Sequence, residues 1–221
     1  MTKIIALTGS IATGKSFVAS MIQNDLNYPI IDADKLAREV VEVNKPAYLE
    51  IVKEFGEKII NKDRTINRKE LRNIIFNDKN KRNLLNKITH KYIRIEFLQK
   101  VKEYTSATLS NHTSATLSNH TLTTLSNREM IIFYDIPLLF EAKLEKEFYK
   151  IILVYTPREL QIKRLMNRDK INFNEAVKTI NSQIDIEIKK KMSDFIIDNS
   201  KSKENTYNQI KTIINQLLEG E

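Results

Sequence analysis

The sequence contains no cysteine, so disulfides, thiolate nucleophiles and cysteine-ligated zinc are all excluded. Histidine is nearly as scarce: His90, His112 and His120 are the only three, which argues against a histidine-built metal centre. Tryptophan is absent as well. No apolar run approaches the roughly 20 residues that a bilayer-spanning helix needs. The N-terminal run Ile4-Ile5-Ala6-Leu7 is too short for the core and cleavage site of a secretory signal. The expectation is a cytoplasmic protein with no membrane partner. The 221 residues are 41% hydrophobic and 29% charged, enough to bury one α/β core with insertions. A net charge of +8 favours polyanionic partners, among them nucleotides, although scattered lysines also make an ordinary solvated surface.

Strand-like and helix-like patterns alternate along the chain. Residues 3–8 form a continuous apolar run ending at Gly9, as a buried parallel strand would. Phe17, Val18, Met21 and Ile22 then recur at helical spacing. Short strands are expected at 28–31, 130–134, 150–155 and 195–197. Residues 46–104 read as helical almost throughout, with Leu85, Ile88, Tyr92, Ile95 and Leu98 as a stripe. Asn172 and Glu175 are spaced as a helix-capping box. Residues 105–128 hold three copies of an octapeptide, Thr-Ser-Ala-Thr-Leu-Ser-Asn-His being the first, too polar and short for a solenoid. They are expected to form a mobile surface loop, with a weak extension of the preceding helix as the alternative, and the glycosylation sequons at Asn111 and Asn119 are discounted for want of a secretory signal. The pattern argues for an open parallel sheet with helices on both faces.

Gly9-Ser10-Ile11-Ala12-Thr13-Gly14-Lys15-Ser16 matches the phosphate-binding loop Gly-x-x-x-x-Gly-Lys-Ser in full. Glycines let backbone N–H groups turn inward around phosphate oxygens, and the helix starting there adds its positive end. Lys15 supplies a mobile charge for the β- and γ-phosphates of ATP, and the Ser16 hydroxyl can ligate Mg²⁺. With Phe17, residues Gly9, Ile11, Ala12, Thr13, Gly14, Lys15 and Ser16 form the expected nucleotide-binding set.

Acidic residues follow the strands. Asp32 and Asp34 end the second strand, where a carboxylate can orient a substrate hydroxyl, or Asp34 can simply cap the next helix. Arg38, four residues on, is placed to pair with Asp34 or to bind phosphate. Asp135 follows the third strand and is a candidate Mg²⁺-side carboxylate. Glu141 can cap or pair, and reads best as a helix N-terminal acid. Arg164 and Arg168 share a helical face and suit a flap that neutralises phosphoryl charge, or else form a solvated face paired to Asp169. His90, alone on a helix, reads as structural.

Together these segments resemble the dephospho-CoA kinase family over nearly the whole length. The resemblance rests on Leu7-Thr8-Gly9 with Gly14-Lys15-Ser16, on Ile31-Asp32-Ala33-Asp34 with Ala37-Arg38, and on Asp135-Ile-Pro-Leu-Leu-Phe-Glu141. Gln161, Arg164, Arg168-Asp169, Gln183 and Ile197-Asp198-Asn199-Ser200 complete it. It implies a P-loop three-layer αβα fold with a five-stranded parallel sheet, in one domain over 1–221. Within it, 35–104 would be a helical CoA-binding insertion and 157–192 a lid. It implies phosphoryl transfer from ATP, with Mg²⁺, to the ribose 3′-hydroxyl of dephospho-CoA. Asp34 would engage that hydroxyl, and Thr8, Arg38, His90, Asp135 and Leu138 would lie on the acceptor side. Arg164 and Arg168 would act from the lid, and Asn199 would approach the adenine.

The chain departs from the family where Ser10 and Ala12 replace glycines, where Lys91 replaces the proline after His90, and at Lys201. The octapeptide repeat has no expected counterpart. Ala12 does not take a positive φ as readily as glycine. A kinase for another nucleoside or nucleotide would keep the loop and lose the 135–141 match. A P-loop nucleic-acid-binding protein would need a basic stripe with stacking aromatics, which the pattern lacks, so no nucleic-acid partner is expected. The expected state is a monomer or weak homo-oligomer.

Overall fold

The computed structural model describes residues 2–114 and 130–219. The chain forms two compact units, one of Met1–Ile31 with Ser114–Glu221 and the other of Asp32–Thr113.

The first unit is built on a five-stranded sheet of order β2-β3-β1-β4-β5. Its strands are β1 (Thr2–Thr8), β2 (Ile30–Asp32), β3 (Met130–Asp135), β4 (Lys150–Tyr155) and β5 (Phe195–Asp198). β1 pairs in parallel with β3 and β4, and β4 with β5. The central β1 is apolar on both faces because a parallel strand inside such a sheet has no solvated side. One face carries Ile5, Leu7, Ile131, Phe133, Ile152 and Val154. It packs on Val18 and Ile22, from α1 (Lys15–Ser20) and the π-helical turn after it, and on Ile210, Ile213 and Ile214 of α9 (Lys203–Glu219). Each such aliphatic side chain contributes about 1.5–3 kcal/mol when fully buried. Lys3 is buried too, and its Nζ donates to the Leu217 carbonyl at 2.8 Å, satisfying the C-terminal turn of α9.

Between β4 and β5 run α6 (Arg158–Asp169), α7 (Phe173–Asn181) and α8 (Ile186–Lys191). Pro157 sets the entry of α6, and α7 opens with the expected capping box, Asn172 accepting from Glu175 N and Glu175 accepting from Asn172 N. Leu165, Ala176 and Ile180 bury a small core that includes Ile11 and Ala12. The expected lid, 157–192, spans these three helices.

The second unit is helical: α2 (Ala33–Glu39), α3 (Pro46–Phe55), α4 (Arg68–Asn77) and α5 (Lys79–Ser114). Its own core is Ile51, Phe55, Ile59, Leu71 and Ile88. The expected insertion, 35–104, falls inside this unit. Helix is not continuous there. Asn61–Thr65 make a turn closed by Asp63, which accepts from Thr65, with Arg64 at a left-handed φ of 68°. The polar Asn-Lys-Asp-Arg run competes with helix through these side-chain bonds. Of the stripe on α5, Leu85, Ile88 and Tyr92 join the core, whereas Ile95 and Leu98 are exposed. In the octapeptide repeat, 105–114 continue α5 as helix, the alternative reading rather than the loop; the rest of the repeat, with Asn119 and His120, lies outside the described residues.

Candidate active site

The phosphate-loop motif joins β1 to α1. Gly9 has no room for a side chain: a Cβ there would stand 2.8 Å from Thr13 Oγ1 and 3.0 Å from the Val154 carbonyl. Gly14 caps α1 at φ 85°, a left-handed conformation costly for other residues. Thr13 is fully buried and turns its carbonyl into the protein. That oxygen accepts from Asn199 Nδ2 at 2.8 Å, Thr156 Oγ1 at 3.1 Å and Arg164 Nη1 at 3.4 Å. Phe17 N and Val18 N donate to the Gly14 carbonyl at 3.0 and 3.2 Å, which leaves the N–H groups ahead of them at the start of α1 as the donors an anion-binding loop uses. Ala12 adopts φ 62°, so the loop takes the left-handed turn even with alanine in a family glycine position. Ser16 is exposed at the helix start.

Asp135 ends β3 beside the end of β1, in register with Leu7. It forms a short ion pair with Lys15 Nζ, both side chains being largely buried. Cation and carboxylate thus lie together at the mouth of the loop. Thr8 is fully buried and donates to the Pro137 carbonyl at 3.4 Å, so it braces the turn after β3 from behind. Leu138 in that turn is 47% exposed.

The two arginines of the expected lid separate. Arg164 donates to the Thr13 and Asn199 carbonyls and to Thr156 Oγ1, over 2.8–3.4 Å, and is part of the loop's scaffold. Arg168 is exposed and makes a two-pronged pair with Asp169 at 2.7 and 2.9 Å. That guanidinium holds the Asp169 carboxyl below its usual range. Asn199 is buried; besides its bond to Thr13 it accepts from Thr206 Oγ1 at 3.1 Å, which leaves little of its amide for an adenine.

In the helical unit, Asp32 caps α2 by accepting from Lys35 N at 2.9 Å. Asp34, in the first turn, is therefore exposed and not the cap. Arg38 is exposed on the same helix, and among the described residues Lys35 rather than Arg38 makes the i,i+4 pair of α2, with Glu39. His90 is exposed on α5, and Lys91 after it pairs with Glu50 at 3.0 Å.

A family profile described as dephospho-CoA kinase matches residues 3–114 and 113–205. The chain belongs to the dephospho-CoA kinase family. It is 43% identical over 220 residues to a dephospho-CoA kinase of Listeria monocytogenes, covering 100% of both chains. It is 40% identical over 211 residues to that of Carboxydothermus hydrogenoformans, covering 96% of this chain and 92% of the relative. The solved dephospho-CoA kinase of Campylobacter jejuni superposes with a TM-score of 0.64 at 33% identity, over 100% of this chain and 99% of that one. A Thermus thermophilus crystal structure, at 24% identity, shares the fold with a TM-score of 0.70 over 98% of each chain. The five-stranded P-loop architecture is that of the family.

Three site features have partners that the sequence does not reveal, although Gln183 and Glu141 themselves belong to the segments that carry the resemblance. The Thr156 hydroxyl behind the loop is one. The bond from Ile11 N to Gln183 Oε1 at 3.0 Å is another. The third is Glu141, which lies in turns rather than at a helix start and faces Lys189 Nζ at 2.7 Å, so the helix-acid reading is corrected.

Proposed function

We propose that the chain transfers the γ-phosphate of ATP to the ribose 3′-hydroxyl of dephospho-CoA, giving CoA and ADP. Family membership carries the ATP-dependent phosphorylation of dephospho-CoA, a step of CoA biosynthesis. The observation that carries the mechanism is the Lys15–Asp135 pair at the mouth of a formed phosphate loop. Phosphates entering the loop compete with Asp135 for Lys15, because a charge-assisted bond to phosphate replaces the one to the carboxylate. Lys15 then follows the charge that spreads over the transferring group.

Ser16 and Asp135 offer only hydroxyl and carboxylate oxygens, the donors a Mg²⁺ ion takes when phosphates and waters complete its shell. They would hold the ion, which would supply neutralisation of the β- and γ-phosphate oxygens. Among the described residues no group of three His, Cys, Asp or Glu side chains converges as a separate metal site. Gly9, Ile11, Ala12, Thr13, Gly14 and Phe17 form the nucleotide bed, and α6–α8 act as the lid. Asp34 is exposed and released from capping by Asp32, so it is the carboxylate proposed to orient the 3′-hydroxyl. Arg38, His90 and the exposed Leu138 are proposed on the acceptor side, and Arg168 at the transferring phosphate. Thr8, Arg164 and Asn199 are assigned to holding the loop. The same reading has the enzyme in the cytoplasm as a monomer or weak homo-oligomer, without nucleic-acid or membrane partners. Among the described residues no helix is long and apolar enough to cross a membrane.

The test is ADP release by purified protein with ATP, Mg²⁺ and, in turn, dephospho-CoA, AMP, CMP and adenosine. Turnover with dephospho-CoA alone, lost by roughly 10²–10³-fold in Lys15→Ala with the circular dichroism spectrum unchanged, is expected. Preference for another acceptor, or full activity in Lys15→Ala, would overturn the reading.

A further inference from the structure

Glu141 has no part in the chemistry above, yet its surroundings tie it to the phosphate loop. Its Oε1 accepts from Ile184 N at 3.1 Å, in the connection between α7 and α8. The same oxygen lies 2.7 Å from Nζ of Lys189, a fully buried lysine on α8. The residue preceding Ile184 is Gln183, whose Oε1 accepts from Ile11 N at 3.0 Å. Neighbouring residues of one short connection therefore grip two different segments, the phosphate loop through Ile11 and the turn after β3 through Glu141. The contacts run without interruption from Lys189 through Glu141, Ile184 and Gln183 to Ile11.

This pair is poorly built as a stability device. Lys189 Nζ and Glu141 Oε2 are buried and have no well-aligned hydrogen-bond partner. A buried ion pair with unfilled donors and acceptors is often no more stable than an apolar pair of similar volume. Its geometry has another use, since the lysine fixes the carboxylate at the one place from which it reaches Ile184 N.

We propose that Glu141 is a positioning residue for ATP binding. Held by Lys189, it fixes the α7–α8 connection so that Gln183 keeps the Ile11 peptide, and with it the phosphate loop, in the form that accepts phosphates. This rests on the reading of residues 9–16 as the ATP site. Loosening the clasp weakens ATP binding and leaves the acceptor side untouched.

ATP binding is measured by titration calorimetry on the parent, on Gln183→Ala, on the double variant Glu141→Leu/Lys189→Met, and on all three changes together. The double variant replaces the ion pair by apolar groups while removing the acceptor for Ile184 N. Its Tm is expected at or above the parent's, with Kd for ATP raised about tenfold, which is about 1.4 kcal/mol. Gln183→Ala is expected to raise Kd by a similar factor, and the triple variant no further. KM for dephospho-CoA stays at the parent value. A folded double variant with the parent's Kd, whatever its Tm, would overturn the proposal. Should the double variant not fold, Gln183→Ala decides alone, and an unchanged Kd there overturns it. Failure of the parent itself to bind ATP would refute the assignment of the loop instead.

Discussion

The side-chain amide of Asn199 donates to the carbonyl of Thr13 at 2.8 Å, so the loop after the last strand holds the phosphate loop from behind. The same amide fills the space where Gly14 would carry a Cβ. Gly14→Ala therefore meets both a left-handed φ of 85° and this amide. The αL conformation alone costs roughly 1–2 kcal/mol outside glycine. Gly14→Ala is expected to lower Tm by roughly 2–8 °C and to weaken ATP binding at least tenfold. Differential scanning fluorimetry with and without ATP checks it; an unchanged ATP-dependent Tm rise would contradict it.

Asp32 and Asp34 are two residues apart and are expected to fail differently. Asp32 caps α2, so Asp32→Ala should cost about 1 kcal/mol of stability. Asp34→Asn removes an exposed carboxylate that caps nothing, so stability should stay within about 0.5 kcal/mol of the parent's. Its kcat should fall by roughly 10²-fold as the hydroxyl loses its orienting group. Equal kcat in Asp34→Asn and parent would remove Asp34 from the reaction.

A similar contrast separates the arginines of α6. Arg164→Ala deletes bonds to the Thr13 and Asn199 carbonyls and to the Thr156 hydroxyl. It should lower both Tm and ATP affinity, because buried carbonyls lose their donors. Arg168→Ala breaks only an exposed pair, and such pairs contribute little to stability. Its effect should appear in kcat with Tm unchanged. Steady-state kinetics beside thermal melts separate the two, and a large Tm loss in Arg168→Ala would place it in the scaffold instead.

Tyr155 supplies a pH test. Its hydroxyl donates to Glu187 at 2.6 Å, and that bond pushes its pKa up to about 12. A raised folded pKa means the interaction is fully present below the unfolded value, about 10, and is lost as pH rises through about 12. Difference titration of tyrosinate absorbance, parent minus Tyr155→Phe, should show one phenol ionising near pH 12. In Glu187→Gln that phenol should ionise earlier. A midpoint near 10 in the parent would show that the bond does not persist in solution.

How much of this was legible in the sequence depends on how local each cause is. The phosphate loop was, because its backbone demands appear as residue types at fixed spacing: Gly9, Gly14, Lys15 and Ser16. So was the capping box of Asn172 and Glu175, whose partners are three residues apart. The choice between Asp32 and Asp34 was not. Both types suit a cap, and only the extended backbone of Asp32, at φ −89° and ψ 116°, decides. The duties of Arg164 and Asn199 were hidden for another reason. Their shared partner, the Thr13 carbonyl, is a backbone atom more than a hundred residues away, and sequence carries no mark of which carbonyl a side chain will meet. For Glu141 the sequence leaves pairing open but favours a helix start, because an acidic residue after Leu-Leu-Phe looks like one until a buried lysine from α8 is seen beside it.

The position of β1 in the sheet has a consequence for synthesis. Residues 2–8 are made early, but their partners are β3 at 130–135 and β4 at 150–155. At roughly 5–20 residues per second, the ribosome takes several seconds or more to supply them. During that interval the strand Ile4-Ile5-Ala6-Leu7 has neither neighbour, whereas the helical unit, with its own core, is complete by Thr113. Nascent chains should therefore acquire protease resistance first in the middle of the sequence, with the N-terminal strand the last of the early segments to be protected.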